Sequence, residues 1–373
     1  MPHKIVYYLD SDNFGGAEQV LYTLLRGLDR NAWHPFLAYH PNPGIAPFIS
    51  SVAELGIETF PTTRIVNYRD IKGIWEFSSR LKAIRPHIFH ANINWPLSCS
   101  NGIIAAYLTG IPAIIGTQHL YDIIKSRRRR VFQFLVSLLV NRYIAVSADL
   151  AKELGQYVPS YKIEVVQNGI NFERFSAEPA GKTNDVYAPL REKNLPILLT
   201  VARLSKQKGH TYLLKAAAKI PDALFVFAGD GPDRKDIEKE AHELNLGNRV
   251  IFLGERNDIP EPLLGCDIYV HPSIFEGGVA ISIMEAMAAG KPVIATEVEG
   301  IRKNFTDSVN AVLVPPADPA ALTKAINGLL SDPVKAKNIG AEGKSLVYRE
   351  FSSSRMVKHV TEIYNQYLKA GRV

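Results

Sequence analysis

The chain has 373 residues, 46% of them hydrophobic and 21% charged, with a formal net charge of +6. That length is more than one core fills and predicts two domains, and the composition is that of a soluble globular protein. The charge excess, with a sequence pI near 9.1, is too mild for a nucleic-acid partner and leaves anionic ligands or an anionic membrane surface.

The two cysteines, Cys99 and Cys266, lie far apart in apolar surroundings and read as reduced core thiols of a cytosolic protein, with no disulfide between them. The opening MPHKIVYYLD passes into an apolar run that ends at an acidic turn, which fits a first strand better than a signal peptide. No segment reaches the ~18 to 20 apolar residues that a membrane span needs.

Lys4 to Leu9 has a buried-strand pattern, Asp10 to Gly16 a loop pattern, and Ala17 to Leu28 a helical one. Gly15-Gly16 before that helix offers backbone N–H groups to an anion, or forms a plain turn. Asp10 and Asp12 read as turn and helix-cap chemistry. Strand-like runs follow at Trp33 to Tyr39, Ile88 to Ala91, Ala113 to Thr117 and Tyr143 to Val146, separated by helical patterns at Gly44 to Leu55, Trp75 to Ile84 and Leu97 to Thr109. This alternation predicts a doubly wound parallel sheet, whose ligands bind beyond the carboxyl ends of the strands. The loops Asp10 to Gly16, Asn92 to Pro96 and Gln118 to Asp122 are therefore the ones of interest.

His119 closes the strand segment IIGTQH, where an imidazole can donate to a hydroxyl or shuttle a proton, or make only a structural bond. His87 and His90 read as core or loop residues. Lys125 to Arg130, KSRRRR, runs directly into VFQFLVSLLV. Two readings stand for it: a cationic and apolar patch for an anionic lipid surface, or a solvated helix start leading into a core helix under the next strand. The run Val131 to Val140 is expected to be at least partly core. Ser147 caps a helix to Leu154, and Ile163 to Val166 with Asn168-Gly169-Ile170-Asn171 closes the first domain near residue 172. Residues 173–195 read as a linker.

The alternation restarts at Ile197 to Ala202. Arg203 and Lys208 lie just past this strand, before a helix from about His210 to Lys219, and two cations in such a loop suit a pyrophosphate. Leu224 to Ala228 runs into Gly229-Asp230-Gly231, a tight turn that lacks the third glycine of a dinucleotide fingerprint. Strands follow at Val250 to Gly254 and Ile268 to His271, then the stretch HPSIFEGGVAISIMEAMAAGKPVIATE. In it Glu276 precedes Gly277-Gly278, which let a ligand approach the backbone closely. Glu285 is the only charge between Val279 and Ala289. The helix is expected to begin between Gly278 and Ala280, so that its amides and positive end face the loop of Glu276 and attract an anion. Glu285 then stands roughly 9 Å along the axis. A ligand with a phosphate at one end and hydroxyls along it, such as a nucleotide sugar, matches both features. Val293 to Thr296 and Val309 to Pro315 read as the last strands, and Pro319 to Leu330, Pro333 to Glu350 and Met356 to Leu368 as helices.

Glu276, Gly277 and Glu285-Ala286-Met287, with Gly290-Lys291-Pro292-Val293-Ile294-Ala295, resemble the paired-glutamate signature of family 4 glycosyltransferases, which have the GT-B fold. The usual spacing has seven residues between the glutamates; this chain has eight, Gly277 to Met284. The segment Glu299-Gly300-Ile301 also departs from a family pattern richer in glycine. The resemblance implies an α/β GT-B architecture, two Rossmann-like doubly wound domains facing across a cleft. Residues 1–172 would form the acceptor-binding domain, 196–351 the donor-binding domain, and a helix at about 352–373 would pack back on the first.

The resemblance further implies that Arg203 and Lys208 bind the donor diphosphate with the amides of Gly277, Gly278 and Val279. Glu285 would hold the ribose, Glu276 the sugar hydroxyls, and His119 the sugar from across the cleft. Arg256 would contact the base through its backbone, and Gly15 and Gly16 would lie at the cleft. The expected reaction is transfer of a sugar from a nucleotide diphosphate donor to a glycan or lipid-linked acceptor hydroxyl, with retention, no metal and no cofactor. The expected location is cytoplasmic, peripheral on the inner membrane face. A sugar-nucleotide epimerase of the same fold, or a non-catalytic nucleotide-sugar-binding protein, are the alternatives; the intact set Arg203, Lys208, Glu276 and Glu285 argues against the last.

Overall fold

The computed structural model describes residues 1–63, 71–120, 124, 126–175, 187–188, 194–256 and 258–370. The chain divides into two compact units, Met1–Gly169 with Ser353–Val373, and Ile170–Ser352. The division falls at residue 169, three residues before the boundary read from the sequence. The expected linker belongs to the second unit, and most of it lies outside the described residues.

Unit 1 alternates β1 (His3–Leu9), α1 (Gly16–Gly27), β2 (Trp33–Tyr39), α2 (Ala46–Glu54), β3 (Glu58–Pro61), α3 (Ile71–Ile84), β4 (Ile88–Ile93), α4 (Ser100–Leu108), β5 (Ala113–Gln118), α5 (Arg127–Leu139), β6 (Arg142–Ala145), α6 (Ala148–Leu154) and β7 (Ile163–Val165). Its seven strands are ordered β3-β2-β1-β4-β5-β6-β7, every pair parallel. The winding reverses between β1 and β4, which opens a crevice beyond their carboxyl ends. Helices cover both faces, so Ile5 to Leu9 are all buried and the strand has no polar alternation. Val6 and Tyr8 pack with Phe77, Ile103 and Val136 of α3, α4 and α5. β3 was not foreseen: it is a four-residue edge strand with exposed Glu58 and a closing proline, which leaves little apolar period to read.

Unit 2 repeats the plan with β8 (Ile197–Val201), α7 (His210–Ala217), β9 (Leu224–Ala228), α8 (Arg234–Glu243), β10 (Val250–Gly254), α9 (Pro260–Gly265), β11 (Ile268–His271), α10 (Ile281–Ala288), β12 (Val293–Thr296), α11 (Glu299–Arg302), β13 (Val312–Val314), α12 (Pro319–Leu330) and α13 (Pro333–Glu350). The six parallel strands are ordered β10-β9-β8-β11-β12-β13, with the reversal between β8 and β11.

The last helix, α14 (Ser353–Ala370), belongs to unit 1. Buried Tyr364 fixes it to the sheet: its hydroxyl meets that of Tyr7 at 3.1 Å and also bonds His90 Nδ1. His90 Nε2 continues the chain to Thr117 Oγ1 at 2.7 Å. Burial, with His119 nearby, lowers the His90 pKa to about 3, so this ring is a neutral strut. Both cysteines are free and buried. Among the described residues no helix is long and apolar enough to cross a membrane.

Candidate active site

In unit 2 the candidate residues gather on the loops that leave β8 and β11, the two strands flanking the reversal. Strand β8 ends at Val201 and its loop carries Arg203 and Lys208 to the start of α7. Gly209 holds that loop against the next. Its φ is +66°, and a Cβ there would lie 2.0 Å from the Pro272 carbonyl oxygen, so only glycine permits the approach. The approach delivers Lys208 Nζ to Glu276 Oε1 at 2.6 Å.

Glu276 Oε1 also accepts from His271 Nε2 at 2.8 Å and from Ser273 Oγ at 2.7 Å. Tyr269 OH lies 3.3 Å from His271 Nδ1 and donates to Val201 O at 3.3 Å, which ties the ring to the end of β8. Ser273 is positioned through its own carbonyl, which accepts from Thr296 Oγ1 at 2.5 Å. Burial lowers the His271 pKa below its ordinary value, against the pull of Glu276. Burial by itself would raise the Glu276 carboxyl, but the Lys208 ammonium and the His271 bond outweigh it and hold the group well below the usual carboxylate range. The result is a permanent carboxylate with three donors on one oxygen; among the described residues Oε2 takes none.

Helix α10 begins at Ile281, with Ala280 as its N-cap. The expected start between Gly278 and Ala280 is therefore corrected: Gly277, Gly278 and Val279 belong to the loop, and buried Val279 packs into the core. Four of the eight residues between the glutamates, Gly277 to Ala280, lie in this loop. It is braced by α11, where a Cβ on Gly300 would meet Gly278 backbone atoms at 2.7 to 2.9 Å. Glu285, on the second turn of α10, now stands about 6 Å along the axis from Ile281. Its side chain is 10% exposed, and Arg174 NH1 stands 3.9 Å away. Burial raises its pKa to about 7, and Arg174 opposes the rise. The sequence reading missed Arg174; it sits in the turn Phe172–Phe175 just past the expected boundary, and only its cationic character next to an apolar turn hinted at it.

Arg203 is exposed, and among the described residues no acid pairs with its guanidinium. Its carbonyl accepts from His210 Nε2 at 3.0 Å; burial lowers the His210 pKa to about 4, which keeps that imidazole a neutral brace. Arg256 is committed to Asp258, with Nε 2.8 Å from Oδ1 and a second bond from its terminal nitrogen, so its side chain is occupied and its backbone is what remains for a ligand.

Unit 1 offers a second group beyond its own reversal. His119 follows β5 and is buried, and its Nε2 meets Asn92 Oδ1 at 2.8 Å. Burial lowers its pKa to about 4. Asn94 Nδ2 donates to Glu18 Oε1 at 2.6 Å and to Ser11 Oγ at 2.7 Å, and Ser11 Oγ reaches Glu18 at 2.5 Å. Glu18 is buried at 2% exposure. It lies under the exposed Gly15–Gly16 turn, and a Cβ on Gly16 would meet nothing within 4 Å. Sequence reasoning missed Glu18, on the first turn of α1, and named Asn92, near the end of β4, and Asn94, just past it, only as part of the loop Asn92 to Pro96. Asp10 and Asp12 do not cap α1, whose N-cap is Gly15. Asp10 instead accepts from Cys99 N at 2.6 Å at the start of α4, and Asp12 accepts from Asn42. The loop 118–122 is described only as far as Leu120, and Lys125 lies outside the described residues. Among the described residues no group of three His, Cys, Asp or Glu is placed to share a metal ion.

Two doubly wound parallel-sheet units, each with its polar cluster beyond the reversal of its own sheet, define a glycosyltransferase of the GT-B class, and comparison with known proteins agrees. The chain belongs to glycosyltransferase family 4: the family described as Glycosyltransferase Family 4 matches residues 14–174, and Glycosyl transferases group 1 matches residues 182–346. It is 28% identical over 319 residues to the UDP-Gal:alpha-D-GlcNAc-diphosphoundecaprenol alpha-1,3-galactosyltransferase of Escherichia coli, 79% of each chain. It is 28% identical over 294 residues to the alpha-maltose-1-phosphate synthase of Mycolicibacterium smegmatis, 71% of this chain and 76% of that one. In fold it is similar to Anabaena HepE, solved in complex with UDP-glucose, with a TM-score of 0.85 at 22% identity over 97% of this chain and 99% of that one. It is also similar to the sucrose-phosphate synthase of Thermosynechococcus elongatus, with a TM-score of 0.79 at 22% identity over 99% and 100%.

Proposed function

We propose that this glycosyltransferase moves a sugar from a uridine diphosphate donor to a hydroxyl of a lipid-linked glycan, with retention at the anomeric carbon and without a metal. The observation that carries the reading is the cluster of Lys208 and His271 on Glu276, with Arg203 exposed on the same loop as Lys208 and, among the described residues, without an acid partner. Lys208 has three N–H donors and commits one to Glu276, so two remain for a diphosphate. Arg203 supplies a planar fork for the same group. Together with the amides of Gly277, Gly278 and Val279, they stabilise the charge that grows on the departing diphosphate. Glu276, fixed through Oε1, turns Oε2 to a sugar hydroxyl; Glu285 accepts from the ribose hydroxyls. No side chain in unit 2 is assigned as a nucleophile: the leaving phosphate takes the acceptor proton on the face it departs from.

His119 is assigned to the donor sugar by resemblance. Its lowered pKa supports a neutral imidazole there, one that bonds a hydroxyl without adding charge. The UDP-glucose complex of HepE and the donor named for the Escherichia coli relative support uridine as the base. The diphosphoundecaprenol acceptor of that relative supports a lipid-linked acceptor and work at the inner face of a membrane.

The test is incubation of purified protein with a panel of nucleotide sugars, alone and with polyprenyl-diphosphate acceptors. Acceptor-dependent release of UDP and an α-configured product by NMR are expected. Isomerised donor without acceptor makes the chain an epimerase, and no turnover with tight binding makes it a sensor. Arg203→Ala or Lys208→Ala with undiminished turnover overturns the site.

A further inference from the structure

Helix α5 is built inside out. The residues it turns inward, Gln133, Val136 and Ser137, are buried, and Ser137 Oγ donates to Phe134 O at 2.7 Å and to Tyr157 O at 3.3 Å. The residues it turns outward are Val131, Phe134, Leu135 and Leu138, exposed by 54, 46, 53 and 47%. They recur at i, i+3, i+4 and i+7 and form one continuous stripe. A stripe of this kind normally faces a core, and here it faces out. On the neighbouring α4, Tyr107 and Leu108 are also exposed, by 56 and 62%.

The charges around the stripe are one-sided. Arg127 to Arg130 fill the first turn of α5, all exposed, with no acid among them. Cations at the positive end of a helix work against its dipole, so this placement does not serve the helix. Helix α4 packs against both α3 and α5. Across the three helices the charged side chains are Lys72, Arg80, Lys82 and the four arginines, against Glu76 alone. A second copy of the chain covering the stripe would bring the same cations face to face. An anionic bilayer offers what the surface lacks, phosphate charge above hydrocarbon.

We propose that the α3–α4–α5 face of unit 1 docks on an anionic lipid bilayer, with Phe134, Leu135 and Leu138 among the acyl chains and Arg127 to Arg130 at the phosphates. The proposal deepens the lipid-linked acceptor reading and takes from it only the reason for a bilayer. Of the two readings that the sequence left open for the basic run and the apolar run after it, this view takes the lipid patch.

The test is cosedimentation of the whole chain with vesicles of phosphatidylcholine, with and without phosphatidylglycerol, at low and high salt. Partition is expected only with phosphatidylglycerol and should weaken with salt. Arg128→Ala with Arg129→Ala should reduce it about fivefold per arginine. Phe134→Ser with Leu138→Ser should reduce it at least tenfold at unchanged charge. Far-UV circular dichroism checks that both variants fold, and all four sites are exposed. The vesicles contain neither donor nor acceptor, so partition stands or falls apart from turnover. No partition of the wild type, equal partition into neutral vesicles, or both variants partitioning like wild type would each overturn the proposal. So would self-association by light scattering that Phe134→Ser/Leu138→Ser abolishes while vesicles bind nothing, which would give the stripe to a second copy.

Discussion

Replacing Lys208 with methionine removes the cation that faces a carboxylate only 7% exposed, at 2.6 Å. Taking one partner from a buried pair costs about 3–5 kcal/mol, because the other charge is left uncompensated. The neutral donors His271 and Ser273 remain on Glu276 Oε1, which places the loss for K208M near the lower figure, about 3 kcal/mol. The pH dependence has a defined sign. Glu276 titrates below its ordinary value in the fold, so its stabilising contribution is complete above the unfolded value of about 4.3 and is lost as the pH falls towards the folded one. The gap between wild type and K208M should therefore be widest at neutral pH and begin to narrow below about pH 4, shrinking further as the pH falls towards the folded value.

The probe must report on unit 2. All three tryptophans, Trp33, Trp75 and Trp95, lie in unit 1, so fluorescence reports the wrong half. Hydrogen exchange of peptides covering β8 and β11 in the absence of donor reads the right one. Pairing K208M with E276Q adds a check: the double variant should be more stable than the summed single losses by about 1–3 kcal/mol. Strict additivity, or a K208M loss below about 1 kcal/mol, would refute the buried-pair reasoning.

Three further outcomes are expected. Glu285 titrates at about 7 in the fold, above its unfolded value of about 4.3, so its ionisation destabilises progressively between those two pH values and the full cost persists above them. E285Q should then be more stable than wild type at pH 8 by up to about 3.5 kcal/mol, with no gain at pH 4, by urea unfolding. If ribose hydroxyls bind this carboxylate, UDP binding at pH 6 releases protons, and calorimetry in buffers of different ionisation enthalpy reads the number. His119 titrates at about 4, so its protonation sets no limit on turnover above about pH 5; N92D puts a carboxylate on its Nε2 side and should move the acid limb of kcat/KM upwards, whereas an unmoved limb removes Asn92 as its positioning partner. G209A meets both a left-handed backbone and a carbonyl at 2.0 Å, and should lower stability by about 2–3 kcal/mol and weaken UDP binding together. Loss of one without the other would separate the loop from Lys208.

What the sequence disclosed was whatever depends on short-range pattern. Strand β2 spans Trp33–Tyr39 and helix α12 Pro319–Leu330, as their periods foretold, because a buried parallel strand and a Pro-started helix each carry their own signal. The loop cations Arg203 and Lys208 could be singled out because they follow a strand end at close spacing. Glu18, Asn92 and Asn94 could not, since each is an ordinary polar residue until the sheet order places β1 beside β4 and β4 beside β5. Arg174 escaped for the same reason, lying far in sequence from the carboxylate it faces. The start of α10 was placed one to three residues early because Gly277-Gly278 and the small residues after them carry no cap that marks a boundary. The orientation of α5 was beyond periodicity altogether: the run VFQFLVSLLV is apolar nearly all round, and only the fold decides that Ser137 goes in and Leu135 out.

The contribution of Tyr364 to the packing of Tyr7 and His90 bears on how the protein is made. A ribosome releases β1 to β7 long before α14, so the nascent first half waits without the helix that packs on Tyr7 and His90 while the second half emerges and matures. Synthesis order and assembly order are thus reversed for these two units. A stalled or prematurely ended translation product should show a protease-resistant 170–352 fragment attached to a readily digested amino-terminal half, and pulse-chase proteolysis on arrested chains would display that sequence of events directly.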